Sequence, residues 1–220
     1  MLHAAYRDDK LAEVRPTSTF ETFELYDPAQ QQVVDLLTNV ADQVVERAPV
    51  ILSEEFPFEA GKILFLHSDP GYGKTHLVEA FINRILKAVP QLRKKMVLSR
   101  GRFYFDFQCD DHPYGTAPIV VIDDMFHDKS SVADLHPATE LASFMKFMTM
   151  VYERRVLCLI TSNFPMVEGG ILAQLTKVDK IGRVRSRAAE ILSGSGEINL
   201  TGKDFRVELA VRRKKDGFKL

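Results

Sequence analysis

Apolar residues along this chain fall into two arrangements: long stripes at three-to-four spacing and short unbroken runs. After a polar lead of about twenty residues, Asp27, Pro28 and Gln30 form an N-cap, a first-turn proline and a capping-box partner. The helix they start carries Val33, Val34, Leu36, Leu37, Val40, Ala41, Val44 and Val45 as one stripe, which Pro49 is expected to halt. Three runs follow, Ile63 to Leu66, Ile119 to Ile122 and Val156 to Ile160. Each is short, without alternation and rich in Ile, Val and Leu, as strands buried on both faces of a parallel sheet are. Between the first two runs, Thr75 to Ala88 places Leu77, Ala80, Phe81, Ile85 and Leu86 on one side of a helix. Between the second and third, Ala138 to Arg154 places Leu141, Phe144, Met145, Met148, Val151 and Tyr152 at helical spacing, entered through Pro137. Strands alternating with helices predict an α/β fold with a central, mainly parallel sheet flanked by helices.

Composition narrows the setting. At 220 residues the chain accommodates one sizeable core rather than two ordinary domains. No apolar stretch reaches the roughly 18 residues that would suggest a membrane span. The first ten residues are charged where a secretion signal needs an apolar run, and Cys109 and Cys158 lack metal-ligand spacing. A cytoplasmic, reduced location is expected. The net charge of -1 conceals two basic regions: residues 80–105 hold seven Lys/Arg and no Asp or Glu, and residues 177–220 hold twelve against six. Each is a candidate nucleic-acid footprint.

The chemistry begins after the first run. Ser68, Asp69, Pro70, Gly71, Tyr72, Gly73, Lys74 and Thr75 match the second half of a phosphate-binding loop, G-x-x-x-x-G-K-[ST], and His76 follows. Small residues let successive backbone N–H groups turn onto phosphate oxygens, the lysine meets the β and γ phosphates, and the hydroxyl serves Mg²⁺. Ser68 replaces the first glycine of the pattern, while Pro70 and Gly71 keep the turn. The loop follows a predicted strand and opens a predicted helix, whose N-terminus adds positive potential. These residues predict ATP and Mg²⁺ as cofactors. His67, at the strand end, is read as a packing residue.

Asp123 and Asp124 end the second run, at the carboxyl end of a strand where ligands bind in open α/β sheets. Asp123 is the candidate Mg²⁺ ligand, through water, beside Thr75. Asp124 stands where many ATPases keep a Glu to orient or deprotonate the attacking water. A strand-terminal turn with solvated acids is the alternative for both. The third run ends in Thr161, Ser162 and Asn163, and Asn163 is the candidate polar sensor of the γ-phosphate or of that water. Arg183, Arg185 and Arg187 suit stabilisation of transferring phosphoryl charge across a subunit boundary, with Arg187 first and Arg183 second. A solvated basic face or a nucleic-acid contact is the alternative for each.

Gly-Tyr-Gly-Lys-Thr-His-Leu at 71–77, Ile-Asp-Asp at 122–124, Thr-Ser-Asn at 161–163 and Arg-Val-Arg-Ser-Arg at 183–187 give the chain a resemblance to AAA+ ATPases. The branch it resembles is that of replication initiators and helicase loaders (DnaA and DnaC types), with the related transposition helpers (IstB type). The resemblance implies a P-loop, AAA+-like domain over 20–211 without a complete C-terminal lid domain. It leaves 1–19 as an N-terminal tail for partner binding and 212–220 as a basic tail. It also implies an arginine finger at Arg187, and Ile198 to Arg206 is similar to the closing strand and Gly-x-x-x-Arg of loaders and helpers. Ser68 and the 90–118 connection depart from the pattern. That connection, with its Phe103 to Phe107 run, reads as strand plus loop, which is similar to superfamily 3 viral replication helicases. The expected function is an ATPase that self-associates into a ring or helical oligomer and acts on single-stranded DNA with a replicative helicase. Phe103, Tyr104 and Phe105 are read as filling a core strand or, alternatively, as lining a path for single-stranded DNA with the basic residues beside them. A non-catalytic, nucleotide-switched adaptor is the reading from a different class.

Overall fold

The computed structural model of the chain describes residues 11–100, 117–125, 146–166, 197–205 and 207. Helix α1 spans Pro28–Glu46 and starts as its sequence dictates: the Asp27 side chain accepts from the Ala29 amide at 2.7 Å, and Gln30 Oε1 accepts from the Asp27 amide at 3.3 Å. Two orphan N–H groups are thereby satisfied reciprocally. Gln30 is buried, and its amide also donates to the Thr201 carbonyl at 2.7 Å, tying this helix start to the segment after the last strand. α1 ends at Glu46, three residues before Pro49. The proline instead sits in the first turn of a short helix α2, Ala48–Ser53, where its missing N–H is harmless.

Five strands form one parallel sheet: β1 (Lys62–His67), β2 (Met96–Arg100), β3 (Ile119–Met125), β4 (Leu157–Ser162) and β5 (Glu197–Asn199), in the order β2-β3-β4-β1-β5. The three apolar runs are β1, β3 and β4, each one to three residues longer than the run alone. β2 lacked a comparable signal because Ser99 and Arg100 break its apolar run, yet Met96 to Ser99 are all buried. A 3₁₀ turn, Pro90–Lys95, feeds into it. The aromatic run at 103–107 lies outside the described residues. Helix α3 (Lys74–Ala88) leaves β1 through the glycine-containing loop and buries Leu77, Val78, Ala80, Phe81, Ile82 and Ile85. Of the helix expected over 138–154, residues 146–153 are helical. Phe147, Met148 and Val151 are buried there, whereas Tyr152, placed in the apolar stripe, turns outward.

The polar lead contributes to the core. Leu11 and Phe20 are buried in it, and Ser18 is buried alongside. The attachment is polar as well: Glu79, on α3 and 1% exposed, accepts from Ser18 Oγ, Arg15 Nε and Arg100 Nη2, each at 2.7 Å. Asn83 adds two bonds to the Arg15 and Ser18 carbonyls, both at 2.8 Å. Burial works to raise the Glu79 carboxyl, but the bonds from Ser18, Arg15 and Arg100 outweigh it and hold the group below its ordinary value of 4.5. A carboxyl that titrates lower folded than unfolded stabilises the fold above the unfolded value, and that contribution is lost as pH falls through the folded one. The Tm gap between wild type and Glu79→Gln should therefore be widest near neutrality and close as pH drops below 4.5. A gap that stays constant in acid melts would count against this pairing.

Candidate nucleotide site

The strand order places β4 between β1 and β3, so the carboxyl ends of these three neighbours open onto one crevice. β1 delivers residues 68–75 there. Gly71 and Gly73 hold φ of 89° and 90°, the left-handed region that glycine enters without a Cβ clash. Space forbids a side chain as well: a Cβ on Gly73 would come within 2.6 Å of the Phe23 ring, and one on Gly71 would strike the Asp204 carboxylate. Lys74 is buried, and its Nζ donates to the Ser68 carbonyl (2.8 Å), Ser68 Oγ (2.9 Å) and the Asp69 carbonyl (3.0 Å). The serine in place of the first glycine thus supplies an acceptor for the loop lysine.

β3 and β4 deliver the remaining polar groups. Asp123 Oδ1 accepts from Thr161 Oγ1 at 2.8 Å and from Thr75 Oγ1 at 3.3 Å, joining all three strand ends. Burial pushes the Asp123 carboxyl up, with the adjacent Asp124 adding to this, while Thr161, Thr75 and Arg100 pull the other way. Beyond Ile122 the β3–β4 register slips and Asp124 adopts φ 61°, so the two carboxylates are re-aimed at a bulge. The Asp124 amide donates to Thr161 Oγ1 at 2.8 Å, and Asn163 Nδ2 donates to Asp124 Oδ1 at 3.3 Å. Thr161 therefore serves both acids. Sequence reasoning placed it in a motif without giving it a task, although register with the acidic strand was the signal available.

Other expected residues divide. Asp69 and Pro70 are exposed at the tip of the loop, and Tyr72 is half-buried. His76 turns its side chain from the loop: its ring meets the Thr19 carbonyl at 2.8 Å and Thr22 Oγ1 at 3.3 Å and packs edge-on to Phe23 at 5.5 Å. His67 pairs with Glu197 at 3.2 Å, and burial, helped by Lys74 and opposed by Glu197, keeps it below its ordinary value. Arg183, Arg185 and Arg187 lie outside the described residues. Beside Gly73, a cavity of about 130 Å³ is walled by Phe23, Tyr26, Tyr72, His76 and Phe205, with Lys203 at its edge. This aromatic lining, reaching the loop from both ends of the chain, escaped the sequence reading.

Among the described residues, no group of three or more His, Cys, Asp or Glu could cage a metal ion. One hydroxyl and one carboxylate side by side, Thr75 and Asp123, fit the donor set that a Mg²⁺ taking its other ligands from phosphates and water would need. No helix of the described residues is long and apolar enough to cross a membrane.

Comparison with known proteins sharpens the fold. A family model described as RNA helicase matches residues 64–164. The crystal structure of DnaI superposes with a TM-score of 0.55 at 18% identity, covering 87% of this chain and 92% of that one. The chain has the fold of DnaI. AMPPCP-bound DnaA from Aquifex aeolicus gives 0.52 at 16% identity over 94% of this chain and 57% of that one. The DnaC helicase loader gives 0.50 at 14% identity over 84% and 97%. No curated protein sequence matches.

Thr161→Val keeps the shape of a fully buried side chain while removing its hydroxyl. It should destabilise the protein by about 1–3 kcal/mol, because the Asp124 amide loses its acceptor and Asp123 a donor. Urea unfolding measures this, and a wild-type midpoint would remove Thr161 from the centre of the site.

Proposed function

We propose that the chain binds ATP with Mg²⁺ and hydrolyses it, and that it acts on a nucleic-acid complex in DNA replication as a helicase loader or remodeller. The observation that carries this reading is the bonded set Thr75, Asp123, Asp124 and Asn163, gathered from three adjacent strand ends beside Lys74. Lys74 exchanges its loop oxygens for the β and γ phosphates, and loop N–H groups receive the remaining phosphate oxygens. Thr75 and Asp123, the latter through water, hold Mg²⁺, which when bound neutralises charge on the phosphates. Asp124 orients or deprotonates the attacking water, with Asn163 fixing the carboxylate and sensing the γ-phosphate. The aromatic cavity beside Gly73 suits the flat face of the adenine base. The AMPPCP-bound DnaA neighbour supports a triphosphate ligand.

Arg187, or failing it Arg183, reaches the site of a neighbouring protomer in a ring or helical oligomer, so that hydrolysis reports subunit contact. Single-stranded DNA follows the basic residues near Phe103, Tyr104 and Phe105. Residues 11–19, expected to belong to a partner-binding tail, are instead packed on α3 as part of the domain, which leaves the stretch before residue 11 for partner contacts, a replicative helicase foremost, and the basic 212–220 for nucleic acid. The DnaC helicase loader and the DnaA initiator among the neighbours support this role. The RNA helicase family model favours a second reading, a superfamily 3-like viral replication helicase. ATP turnover with DNA unwinding by the isolated chain selects the helicase; turnover that needs a separate helicase to unwind selects the loader.

Lys74→Ala should abolish phosphate release in a steady-state ATPase assay. Full turnover by that variant would overturn the ATPase reading. Arg187→Ala should leave nucleotide affinity nearly intact while hydrolysis falls by about 10³-fold. Unchanged hydrolysis would move the finger to another arginine.

A further inference from the structure

Arg100 closes β2 in register with Asp123 on β3, and its guanidinium lies between two carboxylates. Nη2 donates to Glu79 Oε1 at 2.7 Å. Nε lies 4.0 Å from Asp123 Oδ2, is buried, and has no hydrogen-bond partner among the described residues. A buried N–H without an acceptor is an unfavourable state, and an acidic oxygen at this distance offers the remedy. Glu79 stands one helical turn beyond Thr75 and so on the same side of α3. Its carboxylate is fixed by Ser18 and Arg15 as well, which makes it a rigid anchor rather than a mobile surface acid.

We propose that Arg100, anchored by Glu79, is a positioning residue for Asp123. Closing Nε onto Oδ2, from 4.0 Å to the roughly 2.9 Å of an N–H···O bond, leaves the carboxylate tethered at both oxygens: Thr161 and Thr75 at Oδ1, Arg100 at Oδ2. Its plane is then fixed, and its free lone pairs keep one direction beside the Thr75 hydroxyl. The inference rests on the proposed Mg²⁺–nucleotide site.

Two effects of Arg100 oppose one another. Its positive charge repels a metal ion held by Asp123, whereas its bond orients the ligand. Glu79 at 2.7 Å offsets part of that charge, with the exposed Arg15 that shares its carboxylate screened by solvent, so repulsion at the metal is weakened and orientation prevails. Arg100→Met should therefore raise the Mg²⁺ concentration for half-maximal binding of a fluorescent ATP analogue by about tenfold, while metal-free nucleotide affinity changes by less than about twofold. Arg100→Lys, a point charge unable to span two carboxylates, should behave as the Met variant does. Glu79→Gln keeps the shape but turns one accepting oxygen into an NH₂ donor, so it both removes the charge that compensates Arg100 and loosens the anchor, and it too should raise the Mg²⁺ requirement. It provides the same test should the Met variant fail to fold. An unchanged or lowered requirement in Arg100→Met, or full recovery with Lys, overturns the role; with Met unfolded, so does an unchanged Glu79→Gln. A wild-type chain whose nucleotide binding ignores Mg²⁺ overturns the underlying site reading as well, which separates the two failures.

Discussion

A parallel sheet covered on both faces leaves its polar side chains one outlet, the carboxyl ends of the strands. In this chain β1, β3 and β4 are buried along almost their whole length, and their polar residues gather at that end. One hydroxyl holds the ends together. Thr161, on the strand between the phosphate loop and the acids, donates to Asp123 and takes the Asp124 amide, at 2.8 Å each. The slipped register beyond Ile122 would otherwise leave that amide without a partner inside the protein. Loop, acids and Asn163 thus share a frame set by backbone pairing, and each side chain needs only a short reach to meet the others.

The attachment of the lead segment follows a different logic. Glu79 points from a helix toward the polar side of the fold and is buried among Ser18, Arg15 and Arg100. Three donors from two distant parts of the chain make burial of that charge tolerable, and removal of any one leaves the others short of compensation. The lead is therefore fastened to the same helix that begins with Lys74 and Thr75, while Phe23 covers the loop glycine.

Much of this was legible in the sequence wherever one local rule sufficed. Asp27, Pro28 and Gln30 form the capping box expected of them, and the three apolar runs are strands. The helix leaving the loop begins at Lys74, one residue from its expected start. What escaped depended on partners far along the chain. The 90–118 connection, read as strand plus loop, does hold a strand, but at Met96–Arg100 ahead of the aromatic run, where pairing with β3 sets it although Ser99 and Arg100 dilute its pattern. The lead reads as polar because its two buried apolar anchors, Leu11 and Phe20, stand nine residues apart, too far for any local period. Tyr152 follows helical spacing loosely enough to belong to the stripe on paper, yet Phe147, Met148 and Val151 take the buried arc and leave it outside.

The backbone at Asp124 gives one sequence peculiarity a different meaning. A φ of 61° is a conformation that Asp and Asn enter more readily than longer side chains, because a short polar group bonds locally and relieves crowding. At this bend a short acid stands, with Asn163 against its oxygen. Lengthening the side chain to Glu would therefore give up both the local fit to the left-handed backbone and that bond. Residue and bend are matched, and a change in reach would have to be accompanied by straightening of the strand.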